Sequence, residues 1–469
     1  MAFSCDNISE TEILAKLEKI SRVKSIVAGP LCLPNIHPKR GLEAPPQFVT
    51  ATSGTIVPQL SAPAMNCGMS VFTTNLTKED FSPEFLKEFA ARLRAQVAPR
   101  ISKTRALLRW LGFDLEVQPP NRYDLTRGEL EDFFINGAEA AIKKYNLSES
   151  ELDHIEYRGC VLSDEEKRAI NLKTLVPRSS YTNGRHEIGY NFGGNHFLEI
   201  HIVEKILDKD LALRSDLREG QLVFMYHGGG GHATYHLGRY FAHREKNTRA
   251  ERFVLFWLKL LFHFGSSDGI KNFRARWNAY FSHKPFPEIP ADSTEGKRLW
   301  QSIQIALNYG YAFRVALLKR INDALPPKAG KATGEAHFLW DAAHNSITLE
   351  NVDGRMLMVH RQDAMRVFSD KPVMIAGNYN TLSCIGMGSA GAAKTFWSCT
   401  PSAAKTIEKR AQTPNPEHYT LVSKRKNPDL KKIDHIASDG LFAVVQELEK
   451  EDIIKPIALL RPLGGIKGH

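Results

Sequence analysis

Gly189-Tyr190-Asn191-Phe192-Gly193-Gly194-Asn195-His196-Phe197-Leu198-Glu199 is a glycine-loosened turn that delivers an amide, an imidazole and a carboxylate within a few residues. Paired glycines let backbone approach a ligand closely, and Asn, His and Glu then supply a neutral donor, a nitrogen ligand and an oxygen acceptor. The stretch reads as the rim of a metal and phosphate site. Its plainer alternative is a turn into a strand carrying a satisfied core histidine. What separates the two lies in the rest of the chain.

Downstream of this turn the pattern is strand-like. Phe197 to Val203 and Gly220 to Tyr226 read as strands, and the second runs into His227-Gly228-Gly229-Gly230-Gly231-His232. A glycine run directly after a strand forms either a nest of amides for phosphate or a mobile turn. Phe338 to Val359 reads as a hairpin-like pair around Asp353-Gly354, which places His344-Asn345 on a strand. Upstream, Thr11 to Ile20 is a short amphipathic helix and Val23 to Cys32 a strand. Phe48 to Ser61 is strand and turn. Ser82-Pro83 starts a helix with Phe85, Phe89, Leu93 and Val97 on one face, and Thr126 with Glu129 makes a capping-box pattern before Leu130, Phe133, Phe134 and Ile142. Asp292 to Glu295 caps a long helix through Leu318 with Trp300, Ile303, Leu307, Tyr311 and Val315 inward. Residues 236–290 read as a helical, basic and aromatic insertion.

The 469 residues are 42% hydrophobic and 24% charged, which suits a globular chain with length enough for a large core. The longest apolar run, Phe253 to Phe264, is too short to span a bilayer and contains Lys259, so no membrane role is expected. Met1 to Lys16 carries Asp6, Glu10 and Glu12 and shows no signal-peptide pattern. Six scattered cysteines make no disulfide framework; free or metal-bound thiols and a cytoplasmic location are the expectation. A formal charge of +10 favours a polyanionic partner, nucleic acid before membrane surface. The positive charge is dense at Arg92 to Arg109, Arg239 to Arg252, and Ser423-Lys424-Arg425-Lys426 with Lys431-Lys432. Each is either a solvated face or part of an RNA surface.

Gly386-Met387-Gly388-Ser389-Ala390-Gly391 matches the G-x-G-x-x-G dinucleotide fingerprint, with Glu408 at roughly the distance of a ribose carboxylate. A Rossmann turn needs a strand before it, a helix after it and a parallel βαβ unit, and no such alternation is visible here. An unrelated dinucleotide-binding protein is therefore one alternative reading.

An ordered set of short motifs points elsewhere. Pro34-Asn35-Ile36-His37-Pro38, Cys67-Gly68-Met69 and Gly193-Gly194-Asn195-His196-Phe197-Leu198-Glu199 come first. His227-Gly228-Gly229, Ala306-Leu307-Asn308-Tyr309, His344-Asn345, Val359-His360-Arg361 and Leu460-Arg461-Pro462-Leu463-Gly464-Gly465-Ile466-Lys467-Gly468 follow. In order and rough spacing the chain resembles the RtcB family of RNA ligases. The resemblance implies a single α+β domain over 1–469, with central antiparallel and mixed β-sheets surrounded by helices. It also implies GTP-dependent joining of an RNA 3′-phosphate or 2′,3′-cyclic phosphate to a 5′-hydroxyl, as in RNA repair and tRNA splicing. By the same resemblance Cys67 is a bridging thiolate and His196, His227 and His344 bind metal, Mn2+ in the family. Asn195, Phe197, Glu199, Ser383 and Lys467 line a guanylate pocket. A thiolate with neutral imidazoles suits manganese or zinc, and such a cation polarises a phosphoryl oxygen or activates a hydroxyl.

The departures from the family are as specific. The acidic metal ligand three residues before the cysteine is Ala64, and the early motif has Asn35 for aspartate. Gly228, Gly230 and Gly231 stand where the family has serines and an arginine after the histidine at His227, which weakens phosphate contacts there. The loop matching Pro-Gly-Ser-Met-Gly is Ala376-Gly377-Asn378-Tyr379-Asn380. The family's guanylylated histidine falls on Pro401, with Thr400 as the nearest hydroxyl. Without the aspartate, one thiolate and three imidazoles resemble a single tetrahedral site, for which zinc competes. The leading expectation is a metal-dependent RNA-end-binding member without a histidine-guanylate. An active ligase or cyclic phosphodiesterase using another nucleophile is the alternative, and a protein partner is possible for either.

Overall fold

The computed structural model describes residues 3, 5, 10–97, 102–113, 121–242, 248–282, 284–326, 334–424 and 427–467. Arg425, Lys426, Gly468, His283 and residues 243–247, all of which entered the sequence reading, lie outside them. The architecture is α+β, built on a nine-stranded mixed sheet. Across it the order is Pro372–Ile375, Ser383–Gly388, Ile454–Lys467, Phe197–Ile206, Gln221–Gly228, Gly68–Thr77 and Ala336–Ala343, all antiparallel. Pro414–Lys424 adds to Ile454–Lys467 in parallel and pairs with Asn427–Ile436.

Strand alternation gives this sheet two apolar faces, since successive side chains point to opposite sides. Phe72, Ile200, Phe224 and Tyr226 meet the helices on one face. Met69, Val71, Val223 and Met225 meet a four-stranded sheet on the other. That smaller sheet runs Ile26–Cys32, Phe48–Thr52, Arg355–Gln362, Asn345–Val352.

The helical expectations hold with local corrections. The helix Thr11–Ile20 forms as read. Pro83–Ala95 starts at Ser82, whose Oγ accepts from Phe85 N at 3.1 Å. The Thr126 and Glu129 capping box forms with Glu129 Oε2 accepting from Thr126 N at 2.7 Å. That helix stops at Asn136, so Ile142 belongs to a separate helix, Ala138–Tyr145. Gly137 explains the break: its φ is +58°, and a Cβ there would lie 2.0 Å from Gly159 O. Only glycine fits.

The long helix runs from Thr294 to Ala324, capped by Ser293, whose Oγ accepts from Gly296 N at 3.0 Å. It is buried on nearly every side from Ser302 to Leu318 rather than along one stripe, which makes it the central rod of the helical layer. Within 236–290 two of the cations turn inward to partners in the core. Lys259 Nζ donates to Tyr280 O at 2.6 Å, and Arg276 pairs with Glu295 at 2.7 Å. The outer side of those helices presents Phe253, Trp257 and Leu261 together with the exposed cations Arg249, Arg252, Lys271 and Arg274.

Two further sequence readings are corrected. Cys5 and Cys32 form a disulfide, so free thiols are confined, among the described residues, to Cys67, Cys160, Cys384 and Cys399. A 27-residue spacing carries no motif and gave no signal. The fingerprint Gly386 to Gly391 ends a strand that pairs antiparallel on both sides and leads into a short 3-10 turn, Ala390–Thr395. There is no βαβ unit at this position, and the dinucleotide-fold alternative falls with it. No helix among the described residues is long and apolar enough to cross a membrane.

One buried ion pair joins the layers. Arg314, fully buried in the long helix, places NH2 2.9 Å from Asp341 Oδ2 and donates to both the backbone and side-chain oxygens of Asn66 at 2.9 and 2.8 Å. Removing one partner of such a pair strands the other charge in the core. Arg314→Met is expected to destabilise the protein by about 3–5 kcal/mol in urea unfolding. A change below about 1 kcal/mol would show that the pair is not the clamp described here.

Candidate metal centre and adjoining pocket

Cys67 and His344 arrive from two crossovers that hold each other. Cys67 ends the turn before strand Gly68–Thr77, and Asn66, at φ +55°, is pinned by Arg314. His344 sits at the bend between Ala336–Ala343 and Asn345–Val352, where the chain leaves the large sheet for the small one. The sequence placed it on a strand. The bend is fixed by His344 N donating to Cys67 O at 2.9 Å and Asn66 N donating to Asn345 O at 2.8 Å. His227 comes from the end of Gln221–Gly228, and His196 from the turn before Phe197–Ile206.

These side chains converge. Cys67 Sγ lies 3.4 Å from His196 Nε2 and 3.7 Å from His227 Nε2, and the Nε2 atoms of His227 and His344 are 3.0 Å apart. Metal-ligand atoms of Cys67, His227 and His344 all lie within 4.8 Å of one another. Zn–S and Zn–N bonds of about 2.3 and 2.1 Å in a tetrahedron put ligand atoms about 3.4 to 3.6 Å apart, close to the spacing observed.

The outer contacts fix which ring nitrogens carry lone pairs. His227 Nδ1 lies 3.2 Å from Asn195 O, a carbonyl that can only accept, so Nδ1 holds the proton and Nε2 is bare. Asp363 Oδ1 lies 3.0 Å from His344 Nδ1, an ion-pair distance although off the line of a good hydrogen bond, and imposes the same tautomer. Two bare nitrogens at 3.0 Å, beside a sulfur, repel unless a proton or a cation lies between them. Burial opposes ionisation of Cys67, yet the imidazoles of His196, His344 and His227 hold its thiol well below the usual range. Burial likewise opposes charge on His344, but Cys67 and Asp363 push its pKa up to about 9. Burial holds His227 below its ordinary value. The cluster therefore gathers positive charge, and a divalent ion meets that demand with the thiolate and imidazoles as ligands.

Asp363 was missed by the sequence reading. It follows His360-Arg361-Gln362 at the end of a strand, and its other oxygen accepts from Gln47 Nε2 at 3.1 Å. Carboxylate behind imidazole is a common support for metal-bound histidine. Neither His360 nor Arg361 enters the site. His360 Nε2 accepts from Val57 N at 3.1 Å, and Arg361 NH1 donates to Glu350 at 2.6 Å, both buried.

A cavity of about 630 Å³ opens beside the cluster. His196, His227 and Asp363 line it together with Asn195, Phe197, Glu199 and Lys467 of the expected nucleotide set. Lys467 Nζ lies 3.7 Å from Glu199 Oε1 and 4.0 Å from the Tyr379 ring centroid. Ser383 is set back from the wall, where its Oγ accepts from Gly377 N at 3.0 Å and shapes the loop that carries Tyr379. Lys39, Arg40 and Lys405 add a cationic wall that sequence reasoning left out, with His37 beside them.

Pro401 lines the cavity, but Thr400 does not. Its hydroxyl is fully buried and donates to Ser402 O at 2.8 Å. The glycine run after His227 is likewise spent internally. Glu187 Oε1 accepts from Ala233 N at 2.9 Å, so a carboxylate of the protein already occupies the start of helix Gly231–Tyr240. A Cβ at Gly231, where φ is +51°, would lie 2.5 Å from that carboxylate. The glycines admit Glu187 rather than a phosphate.

A family model described as tRNA-splicing ligase RtcB matches residues 16–468. Over 454 residues the chain is 25% identical to the tRNA-splicing ligase RtcB of Methanopyrus kandleri, covering 86% of this chain and 41% of that protein. It is 24% identical over 456 residues to the protein of that name from Thermococcus kodakarensis, covering 89% and 83% of the two. With the Archaeoglobus fulgidus protein of that name it shares 22% over 494 residues, covering 98% and 92%. The chain thus spans less than half the length of the Methanopyrus relative and most of the other two.

Elemental analysis after metal loading is expected to find divalent ion bound stoichiometrically in the wild type and lost in Cys67→Ala. Asp363→Asn should retain the ion with affinity lowered about 10- to 100-fold. Equal metal content in Cys67→Ala and wild type would remove this site.

Proposed function

We propose, from the premise that this chain belongs to the RtcB family of RNA ligases, that it is a metal-dependent RNA-end-binding protein without a histidine-guanylate. One observation carries this reading: the metal cluster, the nucleotide-side residues and a cationic wall share a cavity in which Pro401 stands at the family's nucleophile position. Proline offers no side-chain nucleophile, and the neighbouring Thr400 hydroxyl faces away into a bond with Ser402. Cys67, His196, His227 and His344 would hold the ion, which supplies Lewis acidity toward a phosphoryl oxygen. The ion is the family's Mn2+, with Zn2+ as the competitor that a thiolate and imidazoles also suit. Lys39, Arg40 and Lys405 would receive phosphate, and Asn195, Phe197, Glu199 and Lys467 a guanine nucleotide such as GTP.

The substrate class on this reading is RNA with a 3′-phosphate or 2′,3′-cyclic phosphate, including cleaved tRNA. The whole chain acts as one domain, with 236–290 as a helical, basic insertion within it. Work on RNA suits the cytoplasm, although the Cys5–Cys32 disulfide is unusual there.

A second reading has one observation in its favour. His37 lines the same cavity, its Nδ1 lies 2.9 Å from Asn35 O, and burial lowers its pKa, leaving a neutral imidazole with Nε2 available. Asn35 Oδ1 in turn accepts from Thr406 N at 2.8 Å, tying this loop to the segment after Pro401. On this reading His37 serves as nucleophile and ligation survives.

Incubation of metal-loaded protein with labelled GTP decides between them. No acid-labile covalent guanylate is expected, while RNA ending in a 3′-phosphate should be retained, lost in Cys67→Ala, and weakened steeply by salt as counterion release requires. A covalent label that disappears in His37→Ala would replace the first reading by the second.

A further inference from the structure

We infer that His201 is a positioning residue of the pocket, holding the Glu199 carboxylate so that it reads the N–H edge of a guanine base. Nothing in the motif set singles out His201. It stands two residues after Glu199 on the strand Phe197–Ile206, so both side chains leave the same face while Ile200 between them enters the apolar core. Such a polar pair inside a strand covered on both faces needs a reason, because each group gives up water there.

The geometry supplies one. His201 Nε2 lies 3.2 Å from Glu199 Oε2, and Lys467 Nζ lies 3.7 Å from Glu199 Oε1. The carboxylate is held from two sides, one partner per oxygen. His201 is fully buried and Glu199 nearly so, yet Glu199 still reaches the cavity wall. Nδ1 of His201 is buried with no hydrogen-bond partner, which assigns the ring's proton to Nε2 as donor to Glu199. Gly465, the register partner of Glu199 on Ile454–Lys467, leaves room for this arrangement. A Cβ there would lie 3.0 Å from Glu199 Cγ.

Burial alone would favour the neutral acid, but the His201 hydrogen bond and Lys467 hold Glu199 below its ordinary range. It stays an acceptor with both oxygens fixed. Lys467 in turn lies over Tyr379 and near Phe197, two rings that bound the same end of the cavity. A fixed carboxylate beside aromatic walls selects a base that presents donors, as guanine does at N1 and its exocyclic amine, over adenine, which presents an acceptor at N1.

This inference rests on the nucleotide reading of the pocket, and the test keeps the two apart. GTP, ITP and ATP binding is measured by calorimetry on wild type, His201→Gln and His201→Phe, with metal content as a check on folding. Wild type is expected to prefer GTP over ATP. His201→Phe should lose about tenfold in GTP affinity while ATP affinity stays the same, collapsing the preference. His201→Gln, which keeps an N–H donor, should restore most of it. A purely structural role would weaken the nucleotides alike, and that result, or an unchanged GTP-to-ATP ratio in a metal-replete His201→Phe, would overturn the inference. Wild type that binds GTP no better than ATP would overturn the nucleotide reading and the inference together.

Discussion

The guanidinium of Arg314 is the contact on which the site depends. It lies fully buried where the long helix crosses the large sheet, and it meets an aspartate from one strand and a turn from the next. Asn66 occupies a left-handed conformation, and the guanidinium fixes it there with bonds to its backbone and side-chain oxygens. Cys67 follows directly. Because the same turn also takes up Asn345 O, the thiolate and the His344 bend are built from one hydrogen-bonded unit. A rigid helix therefore positions residues that all belong to strand ends and turns.

Chemistry follows from that rigidity. Backbone carbonyl and carboxylate partners hold the outer nitrogens of His227 and His344, which forces their inner lone pairs together beside sulfur. In a fold free to relax, those groups would separate. Here the layers on both sides keep them in place, and the repulsion becomes an affinity for positive charge. Asp363 stands behind His344 rather than in the cluster of Cys67, His227 and His344 itself, so it orients that imidazole from outside.

How much of this could be read from sequence depended on whether a residue's role was local. Capping boxes, the Ser293 start and the Asp353-Gly354 turn are short-range chemistry and were legible. Cys67, His196, His227 and His344 were legible only as members of an ordered motif set, since nothing in spacing brings residues so far apart to one point. Long-range pairings left no such mark. Glu187 filling the glycine run, Asp363 behind His344 and the Cys5–Cys32 disulfide each join residues from separate elements. Composition could not separate the cations of 236–290: Lys259 and Arg276 have carbonyl and carboxylate partners inside, while Arg249, Arg252, Lys271 and Arg274 face outward.

With Pro401 at the family's nucleophile position on the proposed reading, the wall around that position is held by backbone pairing. Pro401 O accepts from Ala376 N, and Ala403 N donates to Ala376 O, so the segment carrying the proline is stitched to the loop that presents Tyr379. Proline lacks an N–H, but this pairing uses its carbonyl and the amide two residues on, so the substitution costs the loop no hydrogen bond. On the proposed reading, the residues of the Cys67 cluster, the cationic wall and the Glu199 carboxylate still border one cavity, which suits it to holding an RNA end and a nucleotide. A covalent step would on that reading fall to another side chain of the wall, and His37 is the one histidine there, among the described residues, that stands outside the cluster.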